Sequence, residues 1–300
     1  MTHLSWLEAG VVGAFQGVAE LFPISSLGHS VLIPAWVGGS WSRDLDVSRP
    51  ESPYLAFIVG LHVATALALV VYFWRDWVRI ITGLMTSIVR REVRTADQRL
   101  AWLLVLATVP VGIVGLLGEH FFRTHLGKPT PTAIFLMING LVLLLAERLR
   151  RRDPGVDSDY IDERISGPAS DERLARQPVA RAVAIGSLQI AALASGISRS
   201  GITTVGGLAR GLSREDAARF SFLLATPVIL AAGVLKLGDL SGPLGNGIRG
   251  QVLFGAVLSG VGAYLSVRFL TRYLARRSLR PFGVYCLVAG AASLILFAVR

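Results

Sequence analysis

The sequence predicts an all-α integral membrane protein: six transmembrane helices plus two re-entrant helix–loop–helix hairpins, arranged as an inverted repeat. Three observations lead there. Hydrophobic residues make up 52% of the 300 and charged residues only 17%, with mean hydropathy +0.56, and several runs approach the roughly 20 apolar residues that cross a bilayer. Each half of the chain opens with two short apolar pieces parted by a break rich in Gly and Ser. The two openings are also related in sequence. Gly13, Gln16, Ala19, Ile24, Ser25 and Gly28 recur at a constant offset of 173 as Gly186, Gln189, Ala192, Ile197, Ser198 and Gly201.

The first repeat covers residues 1–147. Residues 4–22 are apolar but carry Glu8, Gln16 and Glu20, and Pro23 stops the helix. A second short run, 31–37, follows, so 4–37 reads as a re-entrant hairpin, with a single kinked span as the alternative. Residues 41–53 are polar and turn-rich, a loop. Residues 54–74 form the first span, carrying His62 and Thr65. Residues 75–99 are basic, with an amphipathic middle (77–89) suited to the membrane interface. The second span is 100–118, bent at Pro110, then a short loop over 119–129 and a third span over 130–147. Residues 148–178, dense in Arg, Asp, Gly and Pro, read as a flexible linker. The second repeat, 179–300, opens with a hairpin over 179–212 and continues with spans near 217–237, 251–271 and 281–299.

A hairpin returns to its own side while three spans cross an odd number of times. The second half therefore starts on the opposite face, and the two breaks enter from opposite sides to meet near the midplane. The net charge of +10 resides almost wholly in arginine, since only Lys128 and Lys236 are lysines. The segments 75–99, 148–178 and 272–280 hold 17 Lys/Arg and the opposite face seven. Positive-inside makes the richer face cytoplasmic and puts both termini outside. This distribution fits an anionic membrane face and excludes a nucleic-acid groove. With Cys286 as its one cysteine the chain forms no intrachain disulfide, and its opening residues lack the basic region of a removable signal peptide.

The chemistry lies in the breaks. Glu20 in apolar surroundings costs several kcal/mol unless solvated, paired or bound to a cation. Gln16, four residues earlier, shares its helix face, and the two offer oxygen ligands of the kind Mg²⁺ or Ca²⁺ takes; pairing of Glu20 with Arg199 to join the halves is the compatible alternative. Ser25, Ser26, Gly28 and His29 follow Pro23, a glycine turn whose N–H groups can cradle phosphate oxygens. His29 there suits a nucleophile, a general acid/base or a ligand. In the second break Ser198, Arg199, Ser200 and Thr203 set a guanidinium fork among hydroxyls at the start of a short helix, an anion site. His62, one polar side chain in a span, reads as packing against another helix, and His120 and His125 as loop residues. No Walker loop, zinc spacing or nucleotide fingerprint is present.

At these residues the chain resembles the undecaprenyl-diphosphate phosphatase family, the bacitracin-resistance membrane phosphatases. The family pattern is Glu/Gln-x-x-x-Glu leading into P-x-S-S-T-G-H, then P-G-x-S-R-S-x-x-T. Here these stand as Gln16-Gly-Val-Ala-Glu20, Pro23-Ile-Ser-Ser-Leu-Gly-His29 and Ser195-Gly-Ile-Ser-Arg-Ser-Gly-Ile-Thr203. The similarity runs along the chain, through Tyr72-Phe-Trp-Arg75 and Phe220-Ser-Phe-Leu-Leu-Ala-Thr-Pro227. The chain departs from the pattern at Gln16, often Glu, at Leu27 for Thr and at Ser195 for Pro.

The resemblance implies a bacterial inner-membrane hydrolase that converts the C55 isoprenyl diphosphate to its monophosphate, recycling the carrier for cell-wall synthesis, with a site facing the periplasm and dependence on Mg²⁺ or Ca²⁺. By position, Glu20 and Gln16 serve metal or water, Ser26 or His29 is nucleophile or acid/base, and Ser25, Ser198, Arg199, Ser200 and Thr203 hold the diphosphate. The implied partners are the polyprenyl diphosphate and the bilayer, with a homodimer admitted and nucleic acid excluded. A carrier that flips the lipid monophosphate is the alternative, since inverted repeats with broken helices also build transporters.

Overall fold

In the computed structural model, which describes residues 4–47, 53–150, 167–241 and 247–299, helix follows helix along the chain. α1 (Trp6–Ala19) opens with a capping box: the Ser5 hydroxyl oxygen accepts the Glu8 N–H while the Glu8 carboxylate accepts the Ser5 N–H. Glu8, an intrusion in an apolar run, is thus a helix cap. α2 (Ser26–Val37) follows the first break, and α3 (Gly39–Asp44) is a short helix that straddles the start of the loop expected at 41–53. Next come α4 (Pro53–Tyr72), the amphipathic α5 (Trp74–Arg90) and α6 (Ala96–Phe121). A π-helical turn, Phe122–Leu126, continues α6, so the expected loop at 119–129 is largely helical and holds His120 and His125 in helix. α7 (Pro129–Arg150) and α8 (Gly167–Ala175) close the first part. α9 (Val179–Ser187) tightens into a 3₁₀ turn, Leu188–Leu193, before the second break. α10 (Arg199–Ala209), α11 (Arg214–Ser241), α12 (Arg249–Arg276) and α13 (Arg280–Val299) complete the chain.

Six of these, α4, α6, α7, α11, α12 and α13, are long and apolar enough to cross a membrane. α1 has 14 residues and α2 has 12, about 21 Å and 18 Å at 1.5 Å per residue. Neither spans the roughly 30 Å hydrocarbon layer.

The packing pairs relate the halves. α1 lies against α12 as α9 lies against α6, α4 meets α12 as α11 meets α6, and α4–α11 and α7–α13 join the halves directly. Glycine makes the matching contacts possible. A Cβ on Gly13 would stand 2.6 Å from the backbone of Gly255, and one on Gly186 would strike the backbone of Ala107. These two glycines are a recurring pair of the 173-residue offset, so part of that repeat encodes close helix approach.

The expected linker is partly a docked helix. Within α8, Asp171 is buried and accepts from Arg219 Nε at 2.8 Å and Arg79 Nη2 at 2.7 Å. Asp216 accepts from Ser170 at 2.5 Å and from Arg173 at 2.8 Å, and Leu174 joins the apolar core. Burial alone would lower the pKa of Arg79, but its hydrogen bonds to Asp76 and Asp171 outweigh that and raise it. The stretch 151–166 of the expected linker lies outside the described residues.

Candidate active site

α1 ends at Ala19, and Glu20 caps it with backbone N–H donating to the Gln16 carbonyl. The chain then turns through Pro23 to Ser25, whose φ of 68° lies on the left-handed side that a non-glycine residue seldom adopts. Two hydrogen bonds hold it there. The Ser25 Oγ accepts the Gly28 N–H at 3.1 Å, capping α2, and the Gly196 N–H of the second break at 3.2 Å. At the matching position Ser198 caps α10 by accepting the Gly201 N–H at 3.2 Å. Ser26 is therefore the first residue of α2 and Arg199 the first of α10.

Both reach one carboxylate. Glu20 Oε1 accepts from Arg199 Nη2 at 2.5 Å, and Oε2 accepts from the Ser26 hydroxyl at 2.5 Å and Gln16 Nε2 at 2.9 Å. His62 Nε2 stands 3.3 Å from the same oxygen and 3.2 Å from Gln16 Nε2, with its Nδ1 2.8 Å from the Ile58 carbonyl. Glu20 is only 6% exposed. A carboxylate buried so deeply persists because charge and donors surround it. The pair it forms with Arg199 ties the first break to the second, and the two helix N-termini add positive dipole ends at the same place. One group is left over: Arg199 Nη1 is buried without a hydrogen-bond partner among the described residues. A buried guanidinium nitrogen lacking an acceptor is what an anionic oxygen would satisfy.

The remaining hydroxyls shape the turns. Ser198 and Ser200 donate to the Phe22 carbonyl at 3.4 and 3.2 Å, and Thr203 Oγ1 bonds the Arg199 carbonyl at 2.7 Å and Ser221 Oγ at 2.6 Å. His29 is fully buried among Phe15, Trp36 and Tyr285. Its Nδ1 lies 2.8 Å from the Ser25 carbonyl and its Nε2 2.8 Å from the Tyr285 hydroxyl. The structure thus gathers Gln16, Glu20, Ser26 and Arg199, sets Ser25, Ser198, Ser200 and Thr203 in the turns around them, and seats His29 in an aromatic box.

Two residues escape the sequence reading. His62 contacts Glu20 and Gln16 rather than merely packing against a helix. Asn139 of α7, 2% exposed, donates from Nδ2 to the Pro23 carbonyl and accepts the Ser198 N–H at Oδ1, both at 3.0 Å, bridging the breaks. The available signal was the same for each: a polar side chain in an otherwise apolar span is expensive and therefore has a partner.

Among the described residues no group of three or more His, Cys, Asp or Glu forms a self-standing metal site. The Ser26 hydroxyl lies on Glu20, while Gln16 turns its Nε2 to Glu20 and its Oε1 to the Ser30 hydroxyl at 3.4 Å, an amide whose rotation would bring a second oxygen beside the carboxylate. This hard-oxygen set with one carboxylate fits Mg²⁺ or Ca²⁺ in kind, provided phosphate oxygens complete the coordination.

Fold and site together define a multi-pass membrane protein in which Ser26 and Arg199, each the first residue of a short helix, meet on the buried carboxylate of Glu20. The chain belongs to the bacitracin resistance protein BacA family, whose model matches residues 9–292. It is 62% identical to the undecaprenyl-diphosphatase of Mycolicibacterium paratuberculosis, covering 99% of both chains. It is likewise 62% identical to that of Mycobacterium avium over 99% of both. Identity to undecaprenyl-diphosphatase 2 of Chromobacterium violaceum is 42%, over 96% of this chain and 98% of that one.

Proposed function

We infer that the chain hydrolyses undecaprenyl diphosphate to undecaprenyl phosphate and inorganic phosphate, recycling the lipid carrier of cell-wall synthesis. The relatives' names supply the substrate; the observation that carries the chemistry is the convergence of Ser26 and Arg199 on Glu20. The isoprenyl tail stays in lipid while the diphosphate enters between the breaks, where Arg199 Nη1 and the starts of α2 and α10 take its oxygens. Ser26 Oγ attacks the terminal phosphorus and passes its proton to Glu20. The bond to the bridging oxygen breaks, and undecaprenyl phosphate leaves with its electron pair. Water then cleaves the serine phosphoester, inorganic phosphate departs, and Glu20 returns the proton to Ser26. Arg199 neutralises charge on the phosphoryl group in transfer, where preorganised donors count most. His29 holds the Ser25 carbonyl and so steadies the turn that presents Ser26. Glu20 and the Gln16 carbonyl oxygen would hold a Mg²⁺ or Ca²⁺ arriving with the diphosphate, which when bound neutralises the leaving phosphate.

We place the protein in the bacterial inner membrane as an inverted repeat with α1–α2 and α9–α10 re-entrant, the arginine-rich face cytoplasmic and the site open to the periplasm. The exchangeable packing pairs support the repeat. A cavity of about 650 Å³ lies on the arginine-poor face, walled by Ser42 and Lys128 together with Val31 and Pro34 of α2, though Gln16, Glu20, Ser26 and Arg199 do not line it. Val31 and Pro34 follow Ser26 on the same helix, one to two turns on.

Phosphate release from undecaprenyl diphosphate by the purified full chain in detergent tests the function. Release is expected, with loss on EDTA addition and recovery with Mg²⁺ or Ca²⁺. No release by folded protein would turn the reading toward a lipid-phosphate carrier.

A further inference from the structure

The C-terminal end of α12 carries an unexplained charge. A cavity of about 440 Å³ there is lined by Leu265, Arg268, Phe269, Arg272, Tyr273 and Arg277. Five of these positions recur at helical spacing on one face of α12, and Arg277 caps the helix by donating its N–H to the Tyr273 carbonyl. Leu265 and Phe269 are 58% and 51% exposed, so this face looks outward from the bundle. Arg268, Arg272 and Arg277 are exposed too, and among the described residues none of their guanidinium groups has an ion pair or hydrogen bond. Arg268 also falls inside the apolar window Arg249–Leu274. A guanidinium at that depth is costly unless it reaches the headgroups and meets opposite charge.

We propose that this groove is a binding site for an anionic phospholipid, its phosphate held by Arg268, Arg272 and Arg277 and its first acyl carbons lying on Leu265, Phe269 and Tyr273. Charge complementarity selects the occupant: three unneutralised arginines facing lipid require an anion, and the headgroup phosphates beside them are the anions present. The fork of each guanidinium matches phosphate oxygens in pairs. The aromatic wall is preorganised, with Phe269 stacked on Tyr273 at 5.4 Å between centroids. Phe269 also stacks on Phe22 at 6.0 Å, and the Phe22 carbonyl accepts from Ser198 and Ser200 in the active-site turns. A lipid in the groove therefore rests one aromatic contact from the catalytic break, which gives the surrounding membrane a route to influence it. The site stands independently of the reaction proposed above.

Native mass spectrometry of the purified full chain tests this, with detergent micelles titrated with phosphatidylglycerol, phosphatidylcholine or undecaprenyl phosphate. The wild type should retain phosphatidylglycerol at least tenfold more tightly than phosphatidylcholine. Each single Arg→Gln change at 268, 272 or 277 should weaken it about fivefold and the triple change about a hundredfold. The triple variant R268K/R272K/R277K, which keeps the charge but loses the paired fork, should still prefer phosphatidylglycerol to phosphatidylcholine while binding it less tightly than wild type, and none of these variants should lose phosphate release in plain detergent. Equal retention of the two phospholipids by wild type would overturn the proposal without any variant having to fold. So would unchanged retention by the triple glutamine variant. Undecaprenyl phosphate held tenfold more tightly than phosphatidylglycerol would replace it with a site for the lipid carrier.

Discussion

Replacing Asn139 by alanine should loosen both breaks at once. The change removes the donor for the Pro23 carbonyl and the acceptor for the Ser198 N–H, each now paired at 3.0 Å. Interhelical hydrogen bonds in membrane proteins average about 0.6 kcal/mol by double-mutant cycles, which sets a floor of about 1 kcal/mol for the two. Orphaning a buried backbone group costs about 1–3 kcal/mol. Asn139 and Ser198 are each 2% exposed, so water does not replace the lost partners, and the expected destabilisation is about 2–4 kcal/mol. Unfolding of the purified protein in mixed micelles with a denaturing detergent measures it. Because Ser26 and Arg199 sit on the two turns that Asn139 joins, kcat should fall at least about tenfold, a misplacement of 1 Å being worth about a hundredfold. Asn139→Asp keeps the acceptor for Ser198 but sets a carboxylate against the Pro23 carbonyl, and should lose activity as well. Stability within about 0.5 kcal/mol of wild type together with kcat within twofold would refute the bridging role.

Four further outcomes follow from particular positions. His62→Ala should lower kcat about 10- to 100-fold, an effect typical of lost support around a reacting group, whereas His62→Gln, which can still donate to Glu20, should recover most of it in the phosphate-release assay. Gly17→Ala should destabilise the protein in detergent by about 1–3 kcal/mol, read as a lower melting temperature, because its Cβ would meet the Ser259 backbone. Gly112→Ala, with nothing within 4 Å of the new carbon, should instead stabilise by about 0.5–1 kcal/mol. Cys286, fully buried beside Asn139, should resist maleimide in the folded protein and react once the chain is unfolded.

The six spans were legible because crossing a bilayer demands about 20 apolar residues, a requirement that composition meets or fails visibly. Glu20, Ser26 and Arg199 were legible for the converse reason: polar groups in apolar surroundings demand partners. α8 was not legible. Its Asp and Arg residues read as a solvated linker, yet Asp171 is neutralised by Arg79 and Arg219, 92 and 48 residues away in sequence. The contact of His62 with Glu20 and Gln16 was hidden for the same reason, since that carboxylate lies on another element. Conversely His29, one turn after Ser26 on the same helix, turns its two ring nitrogens to the Ser25 carbonyl and the Tyr285 hydroxyl; sharing a helix face brings two side chains near one another but leaves their partners to be chosen by what packs against them.

The most direct test of a single site built from both halves is a double-mutant cycle on its central pair. Phosphate release from undecaprenyl diphosphate would be measured for purified wild type, Glu20→Gln, Arg199→Gln and the double variant. If the two residues act as a unit, each single change should cost about a thousandfold or more in kcat, and the double should be no slower than the worse single. A single variant that keeps near-wild-type turnover, or a double whose loss is the product of the two singles, would contradict the convergence of the two breaks on one reacting phosphate.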